Sequence, residues 1–345
     1  MISIKKKKGR EKRKLSDKKR VNRTIAAIVG LFAIFSVIIF LIYSPRNSSV
    51  VYGVTFSKPF AEYLELDWKE TYLALLDDLD VKKIRLPVYW TEIENRRGEY
   101  YFKDIDWQIE EARKRGAEII FVVGQKQPRW PECHIPSWVG DLDEKEIEAE
   151  IRETLTTVIN RYKDNSTITA WQVENEPFLP YGECPEITEE LLDMEIATVR
   201  EIDPSRPVII TDSGELSTWY DAASRADILG TTLYRIVWND TIGYVHYPIS
   251  SLFYRFKAAF IMYFTDVEKI IIVELQAEPW GPNNITDMSL EEQYQSMNAK
   301  QFRKNIEFVK DVEFSEAYLW GGEWWYWLKT VKGDDSLWEE AKQIF

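Results

Sequence analysis

From residue 50 onward the chain repeats one pattern eight times: a short apolar run rich in β-branched residues, then a longer stretch with helical spacing. The runs fall at 51–56, 83–87, 118–123, 168–173, 208–211, 228–233, 270–273 and 317–320. Helical periodicity is clearest at 68–79, 105–115, 144–161, 188–201 and 290–309. Runs such as Glu118-Ile-Ile-Phe-Val-Val123 and Lys269-Ile-Ile-Ile-Val273 are too continuously apolar for strands with one wet face. They read as strands buried on both faces of a parallel sheet. Eight βα units in ~300 residues predict an α/β fold of the (β/α)8 TIM-barrel type. An open doubly wound sheet is the competing architecture, but it usually brings a glycine-rich phosphate loop after the first strand. Here that place holds Ser57-Lys58-Pro59-Phe60.

Ahead of the barrel, residues 24–43 form a 20-residue apolar run without a charge. At ~1.5 Å rise per residue it spans a hydrocarbon layer of ~30 Å. Residues 1–23 carry 12 Lys and Arg, and only Arg46 follows the run closely, so the positive-inside rule predicts a cytoplasmic N-terminus. The alternative is a cleaved signal peptide, whose apolar core is ~7–15 residues long and ends in a small-x-small site. This run is longer and ends in Ile42-Tyr43-Ser44-Pro45. The expected organisation is a disordered basic cytoplasmic tail (1–23), one transmembrane helix (24–43), a linker (44–49) and a single barrel domain (50–345) outside the cytoplasm.

The tail leaves 32 of the 44 basic and 55 of the 57 acidic residues to the rest of the chain, a net charge of −23. An acidic body of that size excludes nucleic acid as partner, because phosphate binding needs a basic face. Two histidines, His134 and His246, are too few for a histidine-rich metal site, and no phosphate-loop or dinucleotide motif is present. No metal and no cofactor is expected. Cys133 and Cys184 could pair in an oxidising compartment or remain free thiols. Zinc fits poorly, since Cys133, His134 and Cys184 have no standard ligand spacing.

Chemistry on such a barrel gathers at the C-terminal ends of the strands. Two segments stand out there: Trp171-Gln-Val-Glu-Asn-Glu-Pro177 after the fourth run and Ile270-Ile-Ile-Val-Glu-Leu-Gln276 at the seventh. Glu176 and Glu274 are 98 residues apart, about three βα units. A carboxylate following a buried strand is costly unless it is paired or does chemistry. Two carboxylates facing each other across a barrel mouth are what glycosidic cleavage requires, one protonated and one ionised. The 14 Trp supply flat apolar walls suited to the C–H faces of sugars. Trp320, Trp324, Trp325 and Trp327 cannot all face a sugar, and Trp68, Trp107 and Trp338 sit in helical patterns as packing.

With these residues in step, the chain resembles glycoside hydrolase clan A, the 4/7 superfamily, and within it a family 5-like or related retaining β-glycanase. The resemblance runs along most of residues 50–330. It rests on Arg85-Leu-Pro87, then Trp90, Ile93-Glu94, Gly98-Glu-Tyr-Tyr-Phe102 and Asp106, then Asn175-Glu176-Pro177, Tyr234, Glu274 and Trp320. It implies Glu176 as general acid/base, Glu274 as nucleophile and Asn175 on the 2-hydroxyl of the sugar being cleaved. It further implies Arg85 and Tyr234 as partners of Glu274, and Trp320 as the floor of that subsite. A retaining double displacement then sets the carboxyls ~5–5.5 Å apart. Two departures stand out. Thr232 occupies a place where many members carry His, and Glu274-Leu-Gln-Ala-Glu-Pro-Trp280 lacks the common Glu-x-Gly form and puts a rival carboxylate at Glu278. The expected partners are an oligo- or polysaccharide substrate and the lipid bilayer around residues 24–43. The competing function is a catalytically silent carbohydrate-binding protein on the same barrel.

Overall fold

The computed structural model describes residues 2–46 and 49–345, with side chains from Val21 onward and at Lys18. Eight parallel strands close into a barrel: β1 (Val51–Thr55), β2 (Lys83–Pro87), β3 (Glu118–Val123), β4 (Ile168–Val173), β5 (Val208–Asp212), β6 (Ile228–Leu233), β9 (Lys269–Gln276) and β10 (Glu316–Trp320). The short antiparallel pair β7 (Ile236–Asn239) and β8 (Gly243–His246) is inserted between β6 and β9. The strand ladder runs in sequence order around the barrel, β10 closing against β1 through Val51–Thr55 beside Glu316–Trp320.

Alternation along the strands divides the apolar residues into two layers. Ile120, Ala170, Ile209, Ile271, Val273 and Tyr318 pack together as one set, while Ile119, Phe121, Trp171, Ile210 and Ile272 join the larger cluster shared with the outer helices. Both layers are buried, which is why these strands lack polar alternation. Helix starts are fixed by side-chain caps. Asp143 accepts hydrogen bonds from Lys145 N and Glu146 N at the start of Glu144–Tyr162, and Ser289 and Glu292 form a reciprocal capping box before Leu290–Ser296.

Three differences from the sequence expectation have physical causes. The single helix expected over 290–309 is two, Leu290–Ser296 and Ala299–Val312, because Asn298 turns out of helical geometry and its side chain caps Gln301 N. The helix Ser251–Phe264 lacks a polar face, so periodicity did not mark it. The basic segment expected to be disordered continues the apolar run in one helix, Ile2–Tyr43. Its Lys, Arg and Glu are good helix formers and no proline interrupts them. Residues 47 and 48 of the expected linker lie outside the described residues.

Cys133 and Cys184 form a disulfide with Cα atoms 5.2 Å apart. It ties the loop after β3 to the loop after β4, directly above the barrel mouth.

Candidate active site

The strand ends converge on one hydrogen-bonded group of buried side chains. Arg85, on β2 and fully buried, sits at its centre. Its Nη1 donates to Glu274 Oε1 at 2.8 Å, its Nη2 to Asn175 Oδ1 at 2.6 Å and its Nε to Gln172 Oε1 at 2.7 Å. One guanidinium thus fixes side chains from β4 and β9, a use that needs the planar fork of Arg. The second oxygen of Glu274, Oε2, accepts from the Tyr234 hydroxyl at 3.0 Å. Burial and the neighbouring Glu274 and Glu176 carboxyls hold that phenol well above its usual range, so it stays a donor.

Glu176 follows β4 in the left-handed backbone region, φ 44°. Its N–H donates to Thr211 Oγ1 at 2.7 Å, and Thr232 Oγ1 lies 3.4 Å from its Oε1. Thr232, the position expected to differ from the family pattern, therefore touches this carboxyl. His246 lies exposed on β8 and enters no contact with the group. Burial, then the charges of Glu274 and Glu132, push the Glu176 carboxyl well above the ordinary carboxylate range.

Sequence reasoning passed over Glu132. It lies in the loop after β3 at φ 75°, and its Oε2 accepts from Asn175 Nδ2 at 3.1 Å. Arg85 thus holds the oxygen end of the Asn175 amide, and Glu132 accepts one of the two hydrogens at its nitrogen end. Burial and Glu274 raise its carboxyl from 4.5 to about 7. The adjacent Cys133 was the nearest signal in the sequence, but no strand placed the loop.

Glu174 is structural. Its oxygens accept from Gln125 N at 2.8 Å and Lys126 N at 2.6 Å, anchoring the start of that same loop. Lys126 is buried, and its ammonium donates to the carbonyls of Glu176 (3.0 Å) and Leu179 (2.7 Å). Glu278, the rival carboxylate, is engaged by Arg129, which also lies 3.3 Å from Glu323 Oε2. The Arg129 guanidinium sits 4.0 Å from the Trp320 ring and 3.6 Å from the Phe60 ring. One face of Trp320 is thus covered by Arg129, a packing that the sequence did not indicate. Trp324 and Trp325 are fully buried, donating to Gln293 Oε1 and the Ala277 carbonyl. Around the mouth, Tyr181 lies between Trp130 (6.2 Å) and Trp280 (6.1 Å), and Trp280 meets Tyr234 edge-on at 5.2 Å. Among the described residues no cluster of His, Cys, Asp and Glu could hold a metal ion.

A barrel mouth with paired carboxyls and an aromatic rim invites comparison with sugar-cleaving enzymes. The sequence profile of cellulase (glycosyl hydrolase family 5) matches residues 55–298. Endo-1,4-beta-xylanase 3 of Hypocrea jecorina is 27% identical over 130 residues, 36% of this chain and 35% of that protein. The chain therefore aligns with about a third of the length of the curated relatives it matches. Among solved structures, a catalytic mutant of the GH42 beta-galactosidase Gan42B from G. stearothermophilus superposes with TM-score 0.59 at 12% identity, over 88% of this chain and 57% of that one. GH5_18 from Streptomyces cattleya does so with TM-score 0.53 at 13% identity, over 80% and 71%. At such identities the structures speak for the barrel alone. The profile spans most of the chain, and on that ground the chain belongs to glycosyl hydrolase family 5.

Proposed function

We propose that the protein is a membrane-anchored, retaining glycoside hydrolase that cleaves β-linked glycans outside the cytoplasm, with Glu176 as acid/base and Glu274 as nucleophile. The observation that carries this reading is the contrast between the two carboxyls. Burial and neighbouring negative charge push the Glu176 carboxyl well above the ordinary carboxylate range, whereas both oxygens of Glu274 accept hydrogen bonds from Arg85 and Tyr234.

In the first step a Glu274 oxygen attacks the anomeric carbon while the glycosidic C–O bond breaks and Glu176 gives its proton to the departing oxygen. In the second, Glu176 takes a proton from water, the water oxygen attacks the anomeric carbon, and Glu274 leaves as the carboxylate. In this reading the Asn175 Nδ2 hydrogen not given to Glu132 meets the sugar's 2-hydroxyl, and Glu132 lies beside it. Trp320 contributes its uncovered side to the same subsite, and Trp130, Tyr181 and Trp280 line the approach. The excess of basic residues before residue 24, and a disulfide suited to an oxidising compartment, support a cytoplasmic N-terminus with the barrel on the other side.

The test is sugar release by the full chain in detergent, on β-glucans, xylans, mannans, galactans and aryl β-glycosides, beside Glu274→Gln. The names of the family and of the curated relatives put β-1,4-glucan and β-1,4-xylan at the head of the panel. Release lost in the variant supports the assignment, and release that survives means another carboxylate attacks. Binding without release on any glycan would instead favour the silent carbohydrate-binding protein.

A further inference from the structure

The helix Ser251–Phe264 carries two apolar faces. Tyr254, Ala258 and Ile261 are buried against the barrel. Phe253, Phe256, Phe260 and Tyr263, at spacings of three and four, form a second stripe with Phe264 beside it. Phe253 is 45% exposed, Tyr263 41% and Phe264 55%. A barrel helix facing water normally carries its charged residues there. This helix has no Asp or Glu, although the body of the chain is strongly acidic.

The apolar N-terminal helix packs on this same stripe. Phe40 stacks on Phe256 with ring centres 4.1 Å apart, while Phe35 and Tyr43 meet Tyr263 edge-on at 5.7 and 5.4 Å. Arg255 lies over the Phe40 ring and donates to Ser44 Oγ at 3.3 Å. Residues 35 to 43 cover ~12 Å of helix axis, the outer part of a ~30 Å span. Whatever layer surrounds that part of the span also surrounds Phe256 and Tyr263.

We infer that Ser251–Phe264 is a second membrane contact, its aromatic stripe embedded in the interfacial layer of a lipid bilayer. The inference rests on residues 24–43 being an anchor. The barrel then lies against the bilayer on this helix instead of hanging from residues 44–49. Aromatic rings are favoured at that depth, and a stripe without carboxylates avoids both their desolvation and repulsion by anionic headgroups. Asp266 and Glu268, exposed just beyond the helix, mark where the surface returns to water.

The test uses the full chain in nanodiscs of phosphatidylcholine and phosphatidylglycerol. Both native cysteines are held in the disulfide. Single substitutions Phe253→Cys, Phe264→Cys, Ile34→Cys and Tyr101→Cys therefore each take one environment-sensitive fluorophore. Tyr101, between β2 and β3, is on the side of the barrel opposite the helix. Expected is a blue shift and loss of most emission to nitroxide-bearing lipids at positions 253 and 264, as at Ile34, with position 101 unaffected. Quenching at position 34 while 253 and 264 behave like 101 overturns the inference and leaves the anchor standing. Absence of quenching at position 34 overturns both. Emission at 253 and 264 that depends on protein copies per disc and ignores the lipid nitroxide would assign the stripe to a second copy and overturn the inference too.

Discussion

Glu176 and Glu274 occupy opposite electrostatic settings although both sit at the ends of apolar strands, and the difference lies in what else reaches them. Arg85 and Tyr234 donate to Glu274, whereas Glu176 meets a threonine hydroxyl and two carboxylic neighbours. In the proposed mechanism Glu176→Gln removes the proton donor. Its kcat/KM on glycans should fall ~10²–10⁴-fold, with a much smaller loss of kcat/KM on aryl glycosides whose leaving group needs no proton. The wild-type alkaline limb, set by the raised Glu176 carboxyl, should vanish in the variant's pH profile. An equal loss on both substrate types would remove Glu176 from this role. Both positions were legible in the sequence from apolar runs, Glu274 directly after Val273 and Glu176 three residues after Val173. Glu132, Thr211 and Gln172 were not: a loop carries no periodicity, and strand polar residues do not announce which partner they will meet.

The loop after β3 carries much of the site's architecture. Glu174 holds its start, Glu132 reaches Asn175 from its far end, and the disulfide ties it to the loop after β4. The residues between the cysteines close a loop spanning 51 positions. By chain entropy the link is worth ~4 kcal/mol, and removal of native disulfides commonly costs 2–5 kcal/mol on the order of that estimate. Cys133→Ser with Cys184→Ser should accordingly lower stability in urea and raise KM as Glu132 and Trp130 lose their fixed positions. Unchanged KM in a destabilised variant would confine the disulfide to stability. Gly124 supplies a second probe. It adopts φ +113°, and an added Cβ would clash with the Glu174 carboxyl. Gly124→Ala should cost ~1–3 kcal/mol from backbone strain, plus displacement of the Glu174 carboxyl that holds the loop. A melting temperature equal to wild type would contradict this account. At the element scale the strands were read to within a few residues, while the split at Asn298 and the β7–β8 pair escaped because caps and hairpins depend on a few polar side chains.

At the scale of the molecule, the barrel gathers several carboxyls whose affinity for protons is raised. Glu132, Glu174 and Glu323 move from 4.5 to about 7, chiefly by burial. For such groups the folded chain keeps a proton that the unfolded chain releases. Their stabilising contribution is fully present below about pH 4.5 and is lost as pH rises through about 7. Glu132→Gln deletes one of these titrations. Relative to wild type, the variant should gain melting temperature as pH rises across that window, and parallel curves would refute the raised Glu132 carboxyl. What the sequence determined by itself was the barrel, the apolar span and the two carboxyls at strand ends. These depend on burial periodicity, which is local and repeats along the chain. What only the tertiary structure decided was the partner of each polar group: Arg85 shared among three side chains, Glu132 on the nitrogen end of Asn175, Arg129 over Trp320, and the apolar N-terminal helix packed on an aromatic stripe. Those contacts join residues tens to hundreds of positions apart, and each polar group has several chemically equal partners until chain closure selects one.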